Sequence, residues 1–564
     1  MFHPTFLRSA KHWKSNKGLL LDFLEQPNRA ASVSGFENRI DSILKKKRKG
    51  VNEKNVADTS DASNPSNAPP EGVWAETATT PPIVNSTITN GQPPPPPASD
   101  ADVPIAKRTL AAAAKERAVP STPIARFMGF AGLGANLAFG AVQDSVSRVW
   151  SRDDSPKQSN SNENPLYKNI LSERNAETLA AGLCRMRGAA LKLGQMFSIQ
   201  DENMIPPQIQ AALERVRAGA DYMPRKQLER VLQDELGSDW SSKIAEFDFM
   251  PMAAASIGQV HKAITHDGRT VAMKIQYPGV AESIDSDMDN LMRMMSIADV
   301  LPKGLFVDNL VKVMKRELAL ECDYEYEMKS QARFRELVGG DEFTNQHFIV
   351  PDVVPELCSQ RILTSEWVPG VSIDKVRELP QGVRNDVGAK LLTMTMKELF
   401  SWRFMQTDPN WGNFLYDQES DKLALIDFGA AREYPKEFVD DYLQMVKACA
   451  VKDGKEVMRR STSLGFLTGD ESKVMMDAHC EAGFIVGLPF AQDGLYDFGT
   501  HSQNVTGRVT ELGVVMLKNR LCPPPDESYS LHRKLSGAFL CCIKLGAVVP
   551  SKEIFDRVYE ESSA

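Results

Sequence analysis

Two short β patterns joined by a polar turn constrain this chain more than anything else in it. Ile257 to Ile264 and Thr270 to Gln276 read as strands around His266-Asp267-Gly268-Arg269, which predicts a hairpin. Small residues, Ala253-Ala254-Ala255-Ser256, precede the first strand, and Lys274 stands near the end of the second. A second pair, Phe414-Leu415-Tyr416 and Leu423-Ala424-Leu425, brackets another polar turn. It follows Thr407-Asp408-Pro409-Asn410-Trp411-Gly412-Asn413 and runs into Ile426-Asp427-Phe428-Gly429. Pairing those strands returns Asp427 to the side of Asn413. Segments after about residue 380 are mostly helical in pattern. A small sheet followed by a helical lobe predicts an α+β fold with two lobes.

The residues placed on these turns carry a recognisable chemistry. Set against the kinase pattern G-x-G-x-x-G-x-V, the glycine positions fall on Ala253, Ala255 and Gly258, and the valine on Val260. Small side chains there let backbone amides approach phosphates. Asp408 and Asn413, five apart, match the D-x-x-x-x-N of a kinase catalytic loop, where Asp faces the acceptor and Asn holds magnesium. Asp427 beside Asn413 would give two oxygen ligands suited to a hard octahedral cation bridging phosphates. A second Asp-Phe-Gly at 497–499 has no apolar strand leading into it and no Asn at hairpin distance. It reads as a decoy. Each motif alone is weak, but loop, lysine, Asp/Asn pair and Asp-Phe-Gly in this order are a strong set.

Composition sets the outer limits. Of the 564 residues, 42% are hydrophobic and 25% charged, a globular balance that excludes a wholly disordered, collagenous or polytopic membrane chain. The formal charge of −8 gives no basic field, so no nucleic-acid partner is expected. Eight cysteines without a C-x-x-C pair argue for a reducing compartment.

The chain is strongly divided. Arg8, Lys11, Lys14 and Lys17 precede the first acid, Asp22. With Phe6, Leu7 and Trp13 they form the pattern of a mitochondrial presequence over 1–35, an unstructured basic tail being the alternative. Residues 36–123 read as a Pro/Ser/Asn-rich disordered linker containing Pro93 to Pro97. The run 127–143 has no charge, carries four glycines and is bracketed by Arg126 and Asp144. Its seventeen residues reach only the lower limit for a bilayer span. Residues 124–145 are therefore expected to be membrane-associated or transmembrane, against a buried glycine-rich helix pair. Ala131 and Ala135, or Gly134 and Ala138, have the small-xxx-small spacing of helix packing in lipid.

The motifs also resemble a known family, the UbiB atypical kinases, and within it the mitochondrial ubiquinone-biosynthesis branch. The resemblance rests on Lys192-Leu193-Gly194-Gln195, the alanine-rich AAASIGQVHKA, VAMKIQYPGV, Glu321-Cys322-Asp323 and TDPNWGNF. It covers about residue 125 to the C-terminus. It implies an atypical protein-kinase-like two-lobed fold, with a helical extension over 160–225 covering the active site, an N-lobe over 226–368 and a C-lobe over 369–564. It implies that Lys192 and Gln195 point into the cleft, that Glu321 and Asp323 hold Lys192, and that Glu327 pairs with Lys274, with Glu317 as the fallback. Ala253, Ala254, Ala255, Ser256, Gly258, Val260, Lys274, Glu327, Glu366 and Val368 would bind ATP or ADP. Asp408, Lys274 and Lys192 would be catalytic, and Asn413 and Asp427 would hold Mg²⁺. The implied setting is the matrix face of the inner mitochondrial membrane, with anionic lipid, other ubiquinone-biosynthesis enzymes and isoprenoid phenol or quinone intermediates as partners. A homodimer through the Gly-rich segment is a further expectation.

Departures from ordinary kinases narrow the activity. Gln406-Thr407 stands where His-Arg usually precedes the catalytic Asp, and no Ala-Pro-Glu follows Asp427, so the segment that docks a peptide substrate is missing. An ATPase or kinase-like enzyme with suppressed protein-kinase activity is the leading expectation. A small-molecule or protein kinase of another pathway and a nucleotide-binding pseudokinase scaffold are the alternatives. Alanines in the phosphate loop remove left-handed conformations and stiffen it. Ala255→Gly is accordingly expected to shift nucleotide preference towards ATP and to switch on autophosphorylation; equal ATP and ADP affinities in parent and variant would remove the idea.

Overall fold

The computed structural model describes residues 123–150, 222–297 and 306–563, with isolated positions at 116, 120, 122, 177, 178 and 182. The expected presequence, nearly all of the linker, and Lys192 and Gln195 lie outside the described residues.

Helix α1 (Pro123–Trp150) holds the charge-free run. Helix α2 (Arg225–Leu236) follows, burying Leu228, Val231, Leu232 and Leu236 at helical spacing. Then comes a five-stranded antiparallel sheet made of β1 (Glu246–Phe247), β2 (Ala253–Ala254), β3 (Gly258–Ile264), β4 (Thr270–Gln276) and, later in the chain, β6 (Ile362–Glu366). Strands β1 and β2 both line one edge of β3, and β4 lies between β3 and β6. The β3–β4 hairpin turns at Gly268, whose φ of +83° suits glycine. Along β4 the period of two buries Val271, Met273 and Ile275 completely and leaves Lys274 on the opposite face.

Helices α3 (Val280–Ile297), α4 (Val307–Glu321) and α5 (Tyr324–Gly340) are inserted between β4 and β6, followed by the short α6 (Glu342–His347) and β5 (Phe348–Ile349). On α5 the buried set Tyr324, Glu327, Gln331, Phe334 and Val338 recurs at three and four residues, so Glu327 sits on the apolar face among core side chains. Asp323 caps this helix by accepting the Tyr326 amide at 3.0 Å.

The rest is mainly helical: β7 (Val371–Ser372), α7 (Ile373–Val376), α8 (Gln381–Met396), β8 (Phe404–Gln406), β9 (Phe414–Asp417), β10 (Lys422–Leu425), β11 (Ala431–Glu433), α9 (Lys436–Ala450), α10 (Gly454–Ser463), α11 (Lys473–Gly487), β12 (Tyr496–Asp497), α12 (Phe498–Asn519), α13 (Asp526–Leu545), β13 (Val548–Val549) and α14 (Ser551–Ser563). Small sheets run in the orders β5-β10-β9-β7, β11-β8 and β12-β13. Two buried cores result. One joins α1, α2 and the five-stranded sheet to α3 and α4. The larger one lies among α8, α9, α13 and α14 and takes in Phe334 and Val338 of α5. The α+β, two-lobed reading holds.

The transmembrane reading of 124–145 needs correction: no helix among the described residues is long and apolar enough to cross a membrane. Four glycines and the polar Asn136 dilute the apolar content. Instead α1 docks on the first core through Phe130 and Leu133. Arg126, fully buried, donates from Nε to Asp287 of α3 at 2.9 and 3.0 Å. Its Nη1 also donates to the Pro120 carbonyl at 3.1 Å. Removing one member of such a pair strands the other charge in the core.

Candidate active site

Lys274, sent inward by the β4 alternation, meets two carboxylates. Its Nζ lies 2.7 and 2.9 Å from the two oxygens of Glu327 and 2.8 Å from Oδ2 of Asp427. The Tyr324 ring lies 5.2 Å away, within cation–π range. Burial by itself would lower the Lys274 ammonium, but Asp427 and Glu327 raise it well above the ordinary lysine range. Burial pushes Glu327 up to about 7; Lys274 opposes that rise and the Asp427 charge adds to it. One ammonium between two carboxylates leaves this cluster one negative charge in excess.

Asp427 is delivered by the second hairpin. Leu425 pairs with Phe414, and the Ile426 amide donates to the Asn413 carbonyl at 3.1 Å, so chain order alone sets Asp427 next to Asn413. Phe428 is fully buried, packed 5.1 Å from Phe334, and its amide donates to Glu327 at 3.3 Å. In the loop before the hairpin, Asp408 accepts the Asn410 amide at 3.2 Å and the Asn413 Nδ2 at 3.4 Å. Asn413 thus gives its nitrogen to Asp408, and its Oδ1 remains an oxygen donor beside Asp427.

These donors suit Mg²⁺. A carboxylate and an amide oxygen in a cluster of excess negative charge favour a hard dication. No group of three His, Cys, Asp or Glu able to hold a metal occurs among the described residues.

The small-residue loop sits on the same sheet. The Ala255 amide donates to the Gly258 carbonyl at 2.8 Å, closing a tight turn from β2 into β3, with Ala253 and Ala254 exposed on β2. A Cβ on Gly258 would lie 2.6 Å from the Ile275 carbonyl and 2.9 Å from the Tyr324 hydroxyl, so only glycine allows this approach. Ser256 is half-buried in the turn, and Val260 pairs with Lys274 across the ladder. Glu366 closes β6 opposite Val271, and Val368, itself half-buried, follows in an otherwise exposed crossing towards β7. Glu321 is buried at the end of α4, while Asp323 caps α5. Glu317, the fallback partner for Lys274, instead binds Arg533 of α13 at 2.9 Å. The second Asp-Phe-Gly is a helix start: Asp497 caps α12 by accepting the Thr500 amide at 3.1 Å.

Residues 215–461 match the ABC1 atypical kinase-like domain. "Atypical kinase COQ8B, mitochondrial" of Danio rerio is 48% identical over 454 residues, spanning 79% of this chain and 70% of that protein. The chain belongs to the ABC1, or UbiB, family of atypical kinases. "Atypical kinase COQ8, mitochondrial" of Schizosaccharomyces pombe is 43% identical over 442 residues, 78% of this chain and 69% of that one. A solved structure titled "The complex structure of Rv3197-erythromycin from Mycobacterium tuberculosis" is 25% identical with a TM-score of 0.49, covering 69% of this chain and 97% of that one. As an ABC1-family domain the chain has an atypical kinase-like fold and takes ATP.

Motif reading missed two supports of this UbiB site. By sequence alone Gln406 is only a departure from His. It is buried on β8, donates from Nε2 to the Asp427 carbonyl at 2.8 Å and to Oδ1 at 3.2 Å, and accepts the Asp408 amide at 3.3 Å. One amide side chain thus ties both acidic motifs together. Gln406→Leu leaves buried polar groups unpaired, and the expected fall in kcat is about ten- to a hundredfold, with the fold intact by circular dichroism. An unchanged kcat would show that the two loops hold their places without it. The other support is α13, which approaches the Asp408 loop at Gly537, a Cβ there falling inside the van der Waals envelope of Pro409. Nothing in a linear motif signals a contact between residues so far apart in sequence.

Proposed function

We propose that this atypical kinase turns over Mg·ATP in support of ubiquinone biosynthesis, at the matrix face of the inner mitochondrial membrane. The observation that carries the reading is the Lys274 ammonium bound by both Glu327 and Asp427. It is a cation set to orient phosphates, beside a carboxylate available to a metal. Asn413 and Asp427 would hold Mg²⁺, which when bound neutralises charge on the phosphates. Lys274 orients the α and β phosphates, and the Ala255–Gly258 turn covers them. Asp408 takes the proton of the acceptor, water or a small hydroxyl compound. Glu366 and Val368 lie where the adenine edge would be read. Lys192 and Gln195, with Glu321 and Asp323, would gate the cleft, residues 1–35 would serve as presequence and 36–123 as linker, and α1 would associate with the membrane.

Mitochondrial placement is supported by the names of the relatives, which print "mitochondrial". Inner-membrane lipid, other biosynthetic enzymes and isoprenoid phenols are the partners this reading requires, and a homodimer through the Gly-rich helix is compatible with it. A Schizosaccharomyces pombe strain deprived of its own relative provides the test. The full chain should restore cellular ubiquinone and the Asp427→Asn variant should not. Equal restoration by both proteins would replace an enzyme with a scaffold.

A further inference from the structure

Behind the Lys274 cleft, on the other side of α5, lies a cavity of about 660 Å³, a volume ordinary for a small-molecule site. Its walls come from α4, α5, β8 and β11, and Thr407, the neighbour of Asp408, lines one end. Five cations face it in a chain whose net charge is −8. Two of them are engaged: Arg333 binds Glu433 at 2.6 Å and lies 4.0 Å over the Phe404 ring, and Arg432 lies 3.8 Å from Glu317. The other three, Lys312, Arg316 and Lys329, are exposed and have no acidic partner among the described residues.

Three acids line the cavity, two of them held by arginines and the third, Asp526 of α13, bonded to a neutral amide. Glu317 is held by Arg533 at 2.9 Å, Glu433 by Arg333, and Asp526 accepts from Asn309 at 3.2 Å. Val313, Leu320 and Phe404 supply an apolar wall. Exposed cations without acidic partners, lining a concave surface with an apolar side, favour an anion carrying a hydrocarbon body, since charge-assisted contacts are made without breaking existing ones.

We propose that this cavity binds a phosphate ester, separately from the nucleotide cleft. Its phosphate is met by Arg316, Lys329 and Lys312, and its body lies along Leu320 and Phe404. The site joins α4 and α5 to β11, the strand that follows Asp-Phe-Gly. Two bonds already span part of that distance, from Tyr326 Oη to the Ala431 carbonyl at 2.8 Å and from Arg333 to Glu433. An occupant would add a third link between the helix carrying Glu327 and the segment carrying Asp427.

The test uses the full chain with saturating Mg·AMP-PNP, whose own binding is measured separately by calorimetry, so loss of the nucleotide reading and loss of this one are told apart. Hexyl phosphate and inorganic phosphate are titrated by ³¹P line broadening at low salt. Phosphatidylcholine vesicles doped with phosphatidic acid are tested by co-flotation. The Arg316→Ala/Lys329→Ala variant should bind hexyl phosphate about tenfold or more weakly, with hexyl phosphate preferred to inorganic phosphate. Lys262→Ala, an exposed cation elsewhere, should bind as the parent does. Weakening confined to the vesicles would identify the ester as a lipid headgroup. Unchanged affinity for all three probes in the double variant, or an equal loss in Lys262→Ala, would overturn the proposal.

Discussion

Lys274→Met should cost the folded protein about 3–5 kcal/mol, the range for stranding buried charge by removing its partner. It should also reduce nucleotide affinity to background. The stability loss follows from the cluster's stoichiometry. Glu327 is fully buried and Lys274 nearly so, and without the ammonium two carboxylates face each other with nothing between them. Protonation gives partial relief, and its direction is fixed. Glu327 is already held near 7, against an ordinary value of 4.5, so between those values the folded state keeps a proton that the unfolded chain has released. Stability from this group is therefore full below about pH 4.5 and is lost as pH rises towards 7. Removing Lys274 moves the upper limit higher, so the variant's deficit should shrink on going from pH 8 to pH 6. Urea unfolding at the two pH values checks this. A deficit independent of pH would mean that Glu327 does not carry the excess charge.

Gly537→Ala should lower kcat about a hundredfold while leaving nucleotide affinity almost unchanged. An ideal Cβ at this position overlaps Pro409 and lies 3.1 Å from its Cγ and 3.4 Å from its Cα. Helix α13 is not free to retreat: Arg533 is bound to Glu317, and Lys534 lies 3.1 Å from Glu398 with both side chains buried. The loop carrying Asp408 must move instead, and a displacement of about 1 Å of a reacting group costs on the order of a hundredfold. Gly339→Ala, where nothing lies within 4 Å of the added methyl, is the matched control. Similar kcat values for the two variants would show that the loop tolerates the shift.

What the sequence revealed and what it hid follow from the range of the interactions involved. Turn residues and β patterns are local, so the hairpins that carry Lys274 and Asp427 could be read directly. The second Asp-Phe-Gly could be dismissed because its sequence shows no apolar strand pattern before it; the structure gives it only the two-residue β12, and Asp497 caps α12. Glu327 could be named only through family resemblance, 53 residues from Lys274, because α3 and α4 separate it from β4. The docking of α1 was hidden in the same way. A charge-free, glycine-rich run has the composition of a lipid-embedded segment, and the feature that places it on the first core is Arg126 reaching Asp287, 161 residues away. Gln406 and Gly537 act through contacts across the fold, and neither belongs to a motif that could announce it.

In the proposed cleft Asp427 and Asn413 would serve a metal while Lys274 orients phosphates. Phosphate release from ATP by the full chain, titrated with Mg²⁺ beside the Asp427→Asn variant, tests that claim most directly. The account predicts turnover that requires Mg²⁺ in the parent and is absent in the variant, while Asp427→Asn still binds nucleotide. Equal release from the two proteins at every Mg²⁺ concentration would contradict it.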